Sequence, residues 1–253
     1  MKTLIGYTGF IGSSLLDQTK FDLKYNSKNI INISKKKHDL IICAAAPGYK
    51  WIANKYPKKD FLIIKKLITQ LKKIKCNKFI LISTIDVFNI PFNVTELTKI
   101  RKIKKKNYGS NRYYLEENVK KIFKNYTIIR LPGIVGNKLK KNALYDLKYN
   151  NNLNKIDFRN RYQFYPIKYL WNDIKISIKN ELKLVHFTSE PISIGELHNK
   201  VYKKKFKNIL SQQPANYNMI SIHTKLFSSS TNKKYLYKKK DILKIIKNYL
   251  LNK

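Results

Sequence analysis

Three glycines at strict three-residue spacing constrain this chain more than any other feature: Gly6-Tyr-Thr-Gly9-Phe-Ile-Gly12, placed between the apolar run Thr3-Leu4-Ile5 and the pair Leu15-Leu16. The glycines follow a strand-like run and open an amphipathic helix, the context in which such spacing marks a phosphate-cradling turn. Gly6 permits the tight turn, Gly9 lets the backbone approach a diphosphate, and Gly12 lets the helix pack closely on the strand. The helix opening then presents free N–H groups to an anion. Thr8, Phe10 and Ile11 lie between these glycines and are candidate contacts of the same ligand. The plain alternative is a loop that glycine merely punctuates.

The rest of the first half fits a sheet built around that turn. Short apolar runs at 3–7, 22–25, 40–44 and 79–84 alternate with amphipathic segments, the signature of βαβ units. Between 60 and 75, Phe61, Ile64, Leu67, Ile68 and Leu71 recur at helical period, and Pro57 precedes them as helix starts often show. A second long helix is predicted over 107–124, then a strand over 126–131 and a Pro132-Gly133 break. Past Gly136 the texture changes to shorter segments, with an asparagine-rich connector at 150–154 and a capping-box start at Ser193 with Glu196. The expected class is α/β: a Rossmann-like doubly wound parallel sheet over 1–140, and a smaller substrate-binding lobe over 141–253 that returns segments to the first domain.

Bulk properties bound the partners. With 253 residues, 43% of them hydrophobic, the chain can bury a sizeable core. The formal charge of +38 would attract polyanions at low salt. Yet Lys, Asn and Ile are over-used together and the lysines are scattered, which points to composition, and no RNA-binding signature accompanies them. The runs at 102–106 and 238–240 read as solvated faces, and nucleic acid is not the expected partner. Cys43 and Cys76 sit in apolar surroundings with no disulfide or zinc pattern, and His38, His186, His198 and His223 have no ligand spacing, so no metal is expected. No apolar run reaches the ~18 residues of a membrane span, and the opening residues lack a leader's cleavage site; the expectation is a cytoplasmic protein.

A second constellation is legible without any family knowledge. Tyr108 and Arg112 are four apart on the predicted helix, share one face, and head an apolar stripe through Leu115, Val119 and Ile122. Burying an unpaired guanidinium costs several kcal/mol, so a ribose hydroxyl pair, a carboxylate or a bound phosphate should meet Arg112.

Four segments in order, GYTGFIG, CAAAPG, ISTIDVF and YGSNR, resemble the extended short-chain dehydrogenase/reductase family, also called the NAD-dependent epimerase/dehydratase family, over about the first 140 residues. The resemblance implies a nicotinamide dinucleotide cofactor and a sugar substrate, nucleotide-linked. It implies that Ala44, Ala45, Ala46 and Pro132 line the cofactor, that Thr84 bonds the reacting sugar oxygen, and that Tyr108 exchanges a proton. Asp86 falls where dehydratase members carry an acid, but Ile85 occupies the place of a second one, which argues against dehydration. Arg112 stands where the family has lysine, fixing the ribose and biasing the phenol. Bringing a tyrosine from ~10 to ~7 takes roughly 4 kcal/mol of phenolate stabilisation, and a planar fork cannot replace a compact ammonium without rearrangement.

The second strand ends Lys24-Tyr-Asn26-Ser27-Lys28, with no acid to bond a ribose 2′-hydroxyl. Asn26, Ser27 and Lys28 suit a 2′-phosphate, so both NADP and NAD remain, NADP ahead. Lys50, Trp51 and Asn54 are candidate substrate contacts on a loop beside the site, although a packed tryptophan and a solvated lysine would explain them equally. Lys141, Asn142 and Arg161 are candidate anion binders in the second half. A homodimer remains open. The competing reading is an NAD(P)-binding scaffold or sensor without turnover.

Overall fold

Aliphatic runs too short for helices pair into a six-stranded sheet in the order β2, β1, β3, β4, then the strands Tyr126–Leu131 and Leu184–His186. Here β1 is Lys2–Ile5, β2 Leu23–Tyr25, β3 His38–Cys43 and β4 Cys76–Thr84. The β1·β2, β1·β3 and β3·β4 pairs are parallel, with Ile5 opposite both Tyr25 and Cys43. The computed structural model describes residues 1–101, 106–227 and 233–252. Of the lysine run at 102–106, residues 102–105 lie outside the described ones; Lys106 is exposed, its ammonium 3.7 Å from the Phe61 ring centroid.

Side chains alternate across the sheet, so each strand feeds two layers. Ile41, Phe79, Leu81 and Ile128 face a core shared with Ile64, Ile68 and Leu71 of α3 (Pro57–Leu71) and Leu115 and Val119 of α4 (Tyr108–Ile122). Phe79 stacks on Phe123 at 4.0 Å between centroids. The alternate residues Leu4, Ile42, Ile80 and Ile129 are buried too, together with Leu15 of α1 (Phe10–Leu16) and Leu170 and Ile174 of the helix Leu170–Lys179. These two helices are tied by Trp171 N–H donating to Gln18 Oε1 at 2.9 Å. The short α2 (Lys50–Lys55) precedes α3, and Pro57 opens α3 as the sequence predicts.

The described residues form two interleaved units, Met1–Asn89 with Lys99–Arg130 and Leu170–Val185, and Ile90–Thr98 with Leu131–Tyr169 and His186–Lys253. The chain crosses between the units several times, and the helix at 170–179 lies in the unit that holds residues 1–89. Buried polar groups explain why 90–98 belongs to the second unit. Glu96 accepts from His186 N–H at 2.8 Å, Ser221 Oγ at 2.6 Å and Ile222 N–H at 3.0 Å, which anchors that excursion among later parts of the chain.

Within the second unit, Gly133–Val135 pairs parallel with Phe164–Pro166, Phe92–Val94 parallel with Asn218–Met219, and Arg161–Tyr162 antiparallel with Ile192–Ser193. Ser193 Oγ accepts from Glu196 N–H and so starts the helix Ile194–Tyr202, but the Glu196 carboxylate turns to Lys200 and Lys239 instead of closing the box. No helix among the described residues is long and apolar enough to cross a membrane.

Candidate active site

The chain leaves β1 toward β2 on one side and returns through β3 on the other, so the ends of β1 and β3 diverge at a topological switch point, where open α/β sheets bind ligands. The glycine turn fills one side of it. Gly6 has φ +88°, and a Cβ there would lie 2.7 Å from the Ala44 carbonyl carbon and oxygen, which no L side chain tolerates. A Cβ at Gly12 would lie 2.1 Å from Gly6 O. Gly9 differs: its Cβ would meet only Gly6 O, at 3.5 Å, so its outer face is open, and no side chain caps the first turn of α1. Both Thr8 and Gly9 are exposed, and Phe10 and Ile11 half-buried.

Ala44, Ala45 and Ala46 form the other side, all half-buried, and Ala46 takes a left-handed φ of +87°. Asn26 is internally engaged: Oδ1 accepts from Lys28 N–H at 2.9 Å and Nδ2 donates to Tyr7 Oη at 3.1 Å. Ser27 and Lys28 at the same turn are exposed. This cradle fits a dinucleotide's diphosphate: bare backbone, an open face at Gly9 and uncapped amides occupy the place where a bulky side chain would close it.

A glycine also decides the second half of the site. Asn107 caps α4, its Oδ1 accepting from Ser110 N–H while Ser110 Oγ accepts from Asn107 N–H. Then Gly109 brings the first turn so close to the 3-10 turn Ile85–Val87 that a Cβ would fall 1.8 Å from Asp86 O. The start of α4, where Tyr108 stands, is thereby packed against the turn that carries Asp86. Thr84 Oγ1 accepts from Asp86 N–H at 3.2 Å, and Lys50 Nζ is 2.6 Å from Asp86 Oδ1. Asn54 Oδ1 accepts from Tyr108 N–H at 2.9 Å. Lys50 and Asn54, candidate substrate contacts, thus brace the 3-10 turn and the start of α4, while Trp51 is 65% exposed.

Arg112 finds a carboxylate. Nη1 donates to Asp60 Oδ2 and Nη2 to Asp60 Oδ1, both at 2.9 Å, and Nη2 also donates to Pro47 O at 2.6 Å. Its guanidinium carbon lies 4.4 Å from the Tyr108 ring centroid. Both members of the ion pair are buried. Asp60 escaped the sequence reading, yet its signal is there: it stands four residues before Ile64, on the apolar stripe of α3. Although part of Tyr108 reaches solvent, burial pushes its phenol above the ordinary tyrosine value; the Arg112 guanidinium opposes this, the Asp86 carboxylate reinforces it, and Lys50 opposes it more weakly. The arginine's bias of the phenol toward ionisation is therefore outweighed.

Behind the site lies a buried network that the motifs did not announce. Glu116, two turns beyond Tyr108 on α4, accepts from Arg130 Nε at 3.0 Å, Arg130 Nη2 at 2.6 Å and Ser83 Oγ at 2.5 Å, fixing α4 to the residue preceding Thr84.

The remaining candidates belong to the second unit. Asn142 caps the helix Ala143–Tyr149, its Oδ1 accepting from Leu144 and Tyr145 N–H groups and its Nδ2 donating to Ile134 O. Lys141 is half-buried, Arg161 exposed and Pro132 buried. No cluster of metal-ligating side chains occurs among the described residues.

No family model and no curated protein matches the sequence. The fold has many solved counterparts. The dTDP-4-dehydrorhamnose reductase of Yersinia enterocolitica matches with a TM-score of 0.75 over 98% of this chain and 99% of its own, at 18% identity. The fold is that of the extended short-chain dehydrogenases/reductases. A UDP-N-acetylglucosamine 4-epimerase from Methanobrevibacter ruminantium, in complex with UDP-N-acetylmuramic acid, matches at 0.72 over 98% and 96%, with 13% identity. The UDP-glucuronic acid 4-epimerase of Bacillus cereus, in complex with UDP-glucuronic acid and NAD, matches at 0.68 over 99% of each chain, with 18% identity.

Proposed function

We propose that this chain is a nicotinamide-dependent enzyme acting on a nucleotide-linked sugar, an oxidoreductase or epimerase whose resting site is set to reduce a keto group. One observation supports the reading: the close approach at Gly109 packs the first turn of α4, which Tyr108 opens, against the 3-10 turn that carries Asp86 and follows Thr84, on the same unit as a glycine turn with an open outer face. The solved counterparts that act on such sugars support it.

When bound, a nicotinamide dinucleotide supplies or removes the hydride. The glycine turn and the Ala44–Ala46 side of the switch point would hold its diphosphate and ribose, and exposed Lys28 with Ser27 favours a 2′-phosphate, hence NADP over NAD. Thr84 Oγ1 donates to the sugar's carbonyl oxygen and aligns it. Tyr108, whose phenol keeps its proton well above neutral pH, donates that proton to the same oxygen as negative charge develops there. Asp86, held by Lys50, keeps Thr84 in place through the Asp86 amide. Epimerisation starts with the opposite transfer, a proton taken by Tyr108, and this raised phenol is poorly set for it. Two copies of the chain and a cytoplasmic setting complete the proposal.

The test is consumption of NADPH or NADH with nucleotide-linked keto sugars, beside coenzyme titration. Tyr108→Phe should bind coenzyme like the parent and lose at least ~100-fold in turnover. If neither coenzyme binds below about 1 mM, or if Tyr108→Phe turns over like the parent, the proposal is wrong. Commitment of Arg112 to Asp60 favours one second reading, a coenzyme-binding sensor; coenzyme binding with no turnover of any such sugar would establish it.

A further inference from the structure

Asp60 lies in the first turn of α3, a place where nothing in the proposed chemistry requires an acid, and it is 5% exposed. A carboxylate so buried needs several donors, and it has three: both Nη atoms of Arg112 and Asn111 Nδ2 at 2.7 Å. Asn111 also donates to Pro57 O at 3.2 Å, so two consecutive residues of α4 close on one turn of α3. Asp60 and Pro47 take three of the five guanidinium N–H groups, and the guanidinium carbon is held 4.4 Å from the Tyr108 ring centroid, with N–H groups left over for the phenol side. A lysine ammonium has no fork with which to take both carboxylate oxygens.

We propose that Asp60 is a positioning residue for Tyr108: by gripping both Nη atoms of Arg112 it fixes the guanidinium against the phenol ring and balances its charge. The pair works as a unit, and this explains how an arginine can stand where the resemblance has lysine. The inference rests on the proposed function only for its catalytic consequence; the electrostatic coupling stands without it. The groups that bear on the phenol are Arg112 on α4, Asp86 on the 3-10 turn and Lys50 on α2, with Asp60 on α3 acting through Arg112.

The experiment is a pH titration of the Tyr108 phenol in the whole chain, by NMR of tyrosine labelled at Cζ, with Tyr108→Phe identifying the signal. Removing the negative charge in Asp60→Asn should lower the Tyr108 titration by about one pH unit, and removing the positive charge in Arg112→Gln should raise it by a similar amount. Shifts of opposite sign are the mark of the pair. A tie that only joins two helices would lower the urea midpoint of both variants and leave the titration in place; that result, or shifts of the same sign, overturns the proposal. Should Asp60→Asn not fold, Asp60→Glu, which keeps the charge but displaces the carboxylate from the guanidinium fork, takes its place: the Tyr108 titration should move from the parent's, and a titration equal to the parent's overturns the proposal. In turnover, Asp60→Asn should lose ~10-fold in kcat with coenzyme affinity within about threefold. Opposite shifts in a chain that turns over no sugar would leave the pairing standing and sink the function.

Discussion

Removing the Glu116 carboxylate should be among the most damaging single changes available outside the apolar core. Glu116 is fully buried and Arg130 2% exposed; the pair shares two hydrogen bonds, and Ser83 Oγ donates a third to Glu116. In Glu116→Ala the Arg130 guanidinium, packed 5.0 Å from the Phe88 ring centroid, keeps its charge and loses this carboxylate partner. Breaking a buried pair from one side costs about 3–5 kcal/mol, a large part of the 5–15 kcal/mol typical of a domain. With a urea slope near 2 kcal/mol/M, the midpoint should fall by about 2 M. The control is Glu116→Leu/Arg130→Met, which removes both charges and refills the space; it should recover most of the loss, because two buried charges are costly even when paired. Far-UV circular dichroism in urea reads both. A loss below about 1 kcal/mol in Glu116→Ala, or a double variant as unstable as the single, would refute the assignment of a buried, desolvated pair.

Gly109→Ala places a methyl 1.8 Å from Asp86 O, so α4 must retreat; stability should drop by about 1–3 kcal/mol, and turnover should fall more than coenzyme affinity, read by denaturation and steady-state kinetics. Ala46→Gly relieves a left-handed alanine and should raise stability by about 1 kcal/mol in the same denaturation assay, the φ of +87° being one that glycine adopts freely. Turnover in the reducing direction should stay level from neutral pH to about 9 and decline above 10, because the raised Tyr108 must remain protonated to donate. The same shift has a stability sign: below the unfolded tyrosine's value both states hold the proton and nothing is lost. As pH rises past that value and through the folded one, the unfolded chain ionises first and stability falls.

Where sequence and structure part company, the difference is one of range. The helices at 107–124 and 60–75 and the strands around 40, 80 and 128 were readable because each has its own period, and the observed elements differ from them by a few residues at the ends. Thr84, Asp86, Tyr108 and the glycine turn stand out as candidates because each falls in a short motif. Asp60 was readable in principle, as an acid on an apolar stripe, and the need for a partner to Arg112 was stated without naming it. Glu116 with Arg130 and Ser83 carried no such signal, since its members come from α4, the strand Tyr126–Leu131 and β4. The placement of 90–98 with the later parts of the chain carried no local signal, because Glu96 gathers its partners from about 90 and 125 residues later.

The sequence by itself determined the alternation of strands and helices, the glycine turn after β1 and the phenol–guanidinium face of α4, because these depend on backbone preference and on neighbours within a few residues. Only the tertiary structure decided what that guanidinium binds, and that burial raises the Tyr108 phenol where the guanidinium alone would lower it. A buried charge takes its partner and its solvation from whichever distant segments the folded chain brings against it, and local spacing does not encode them.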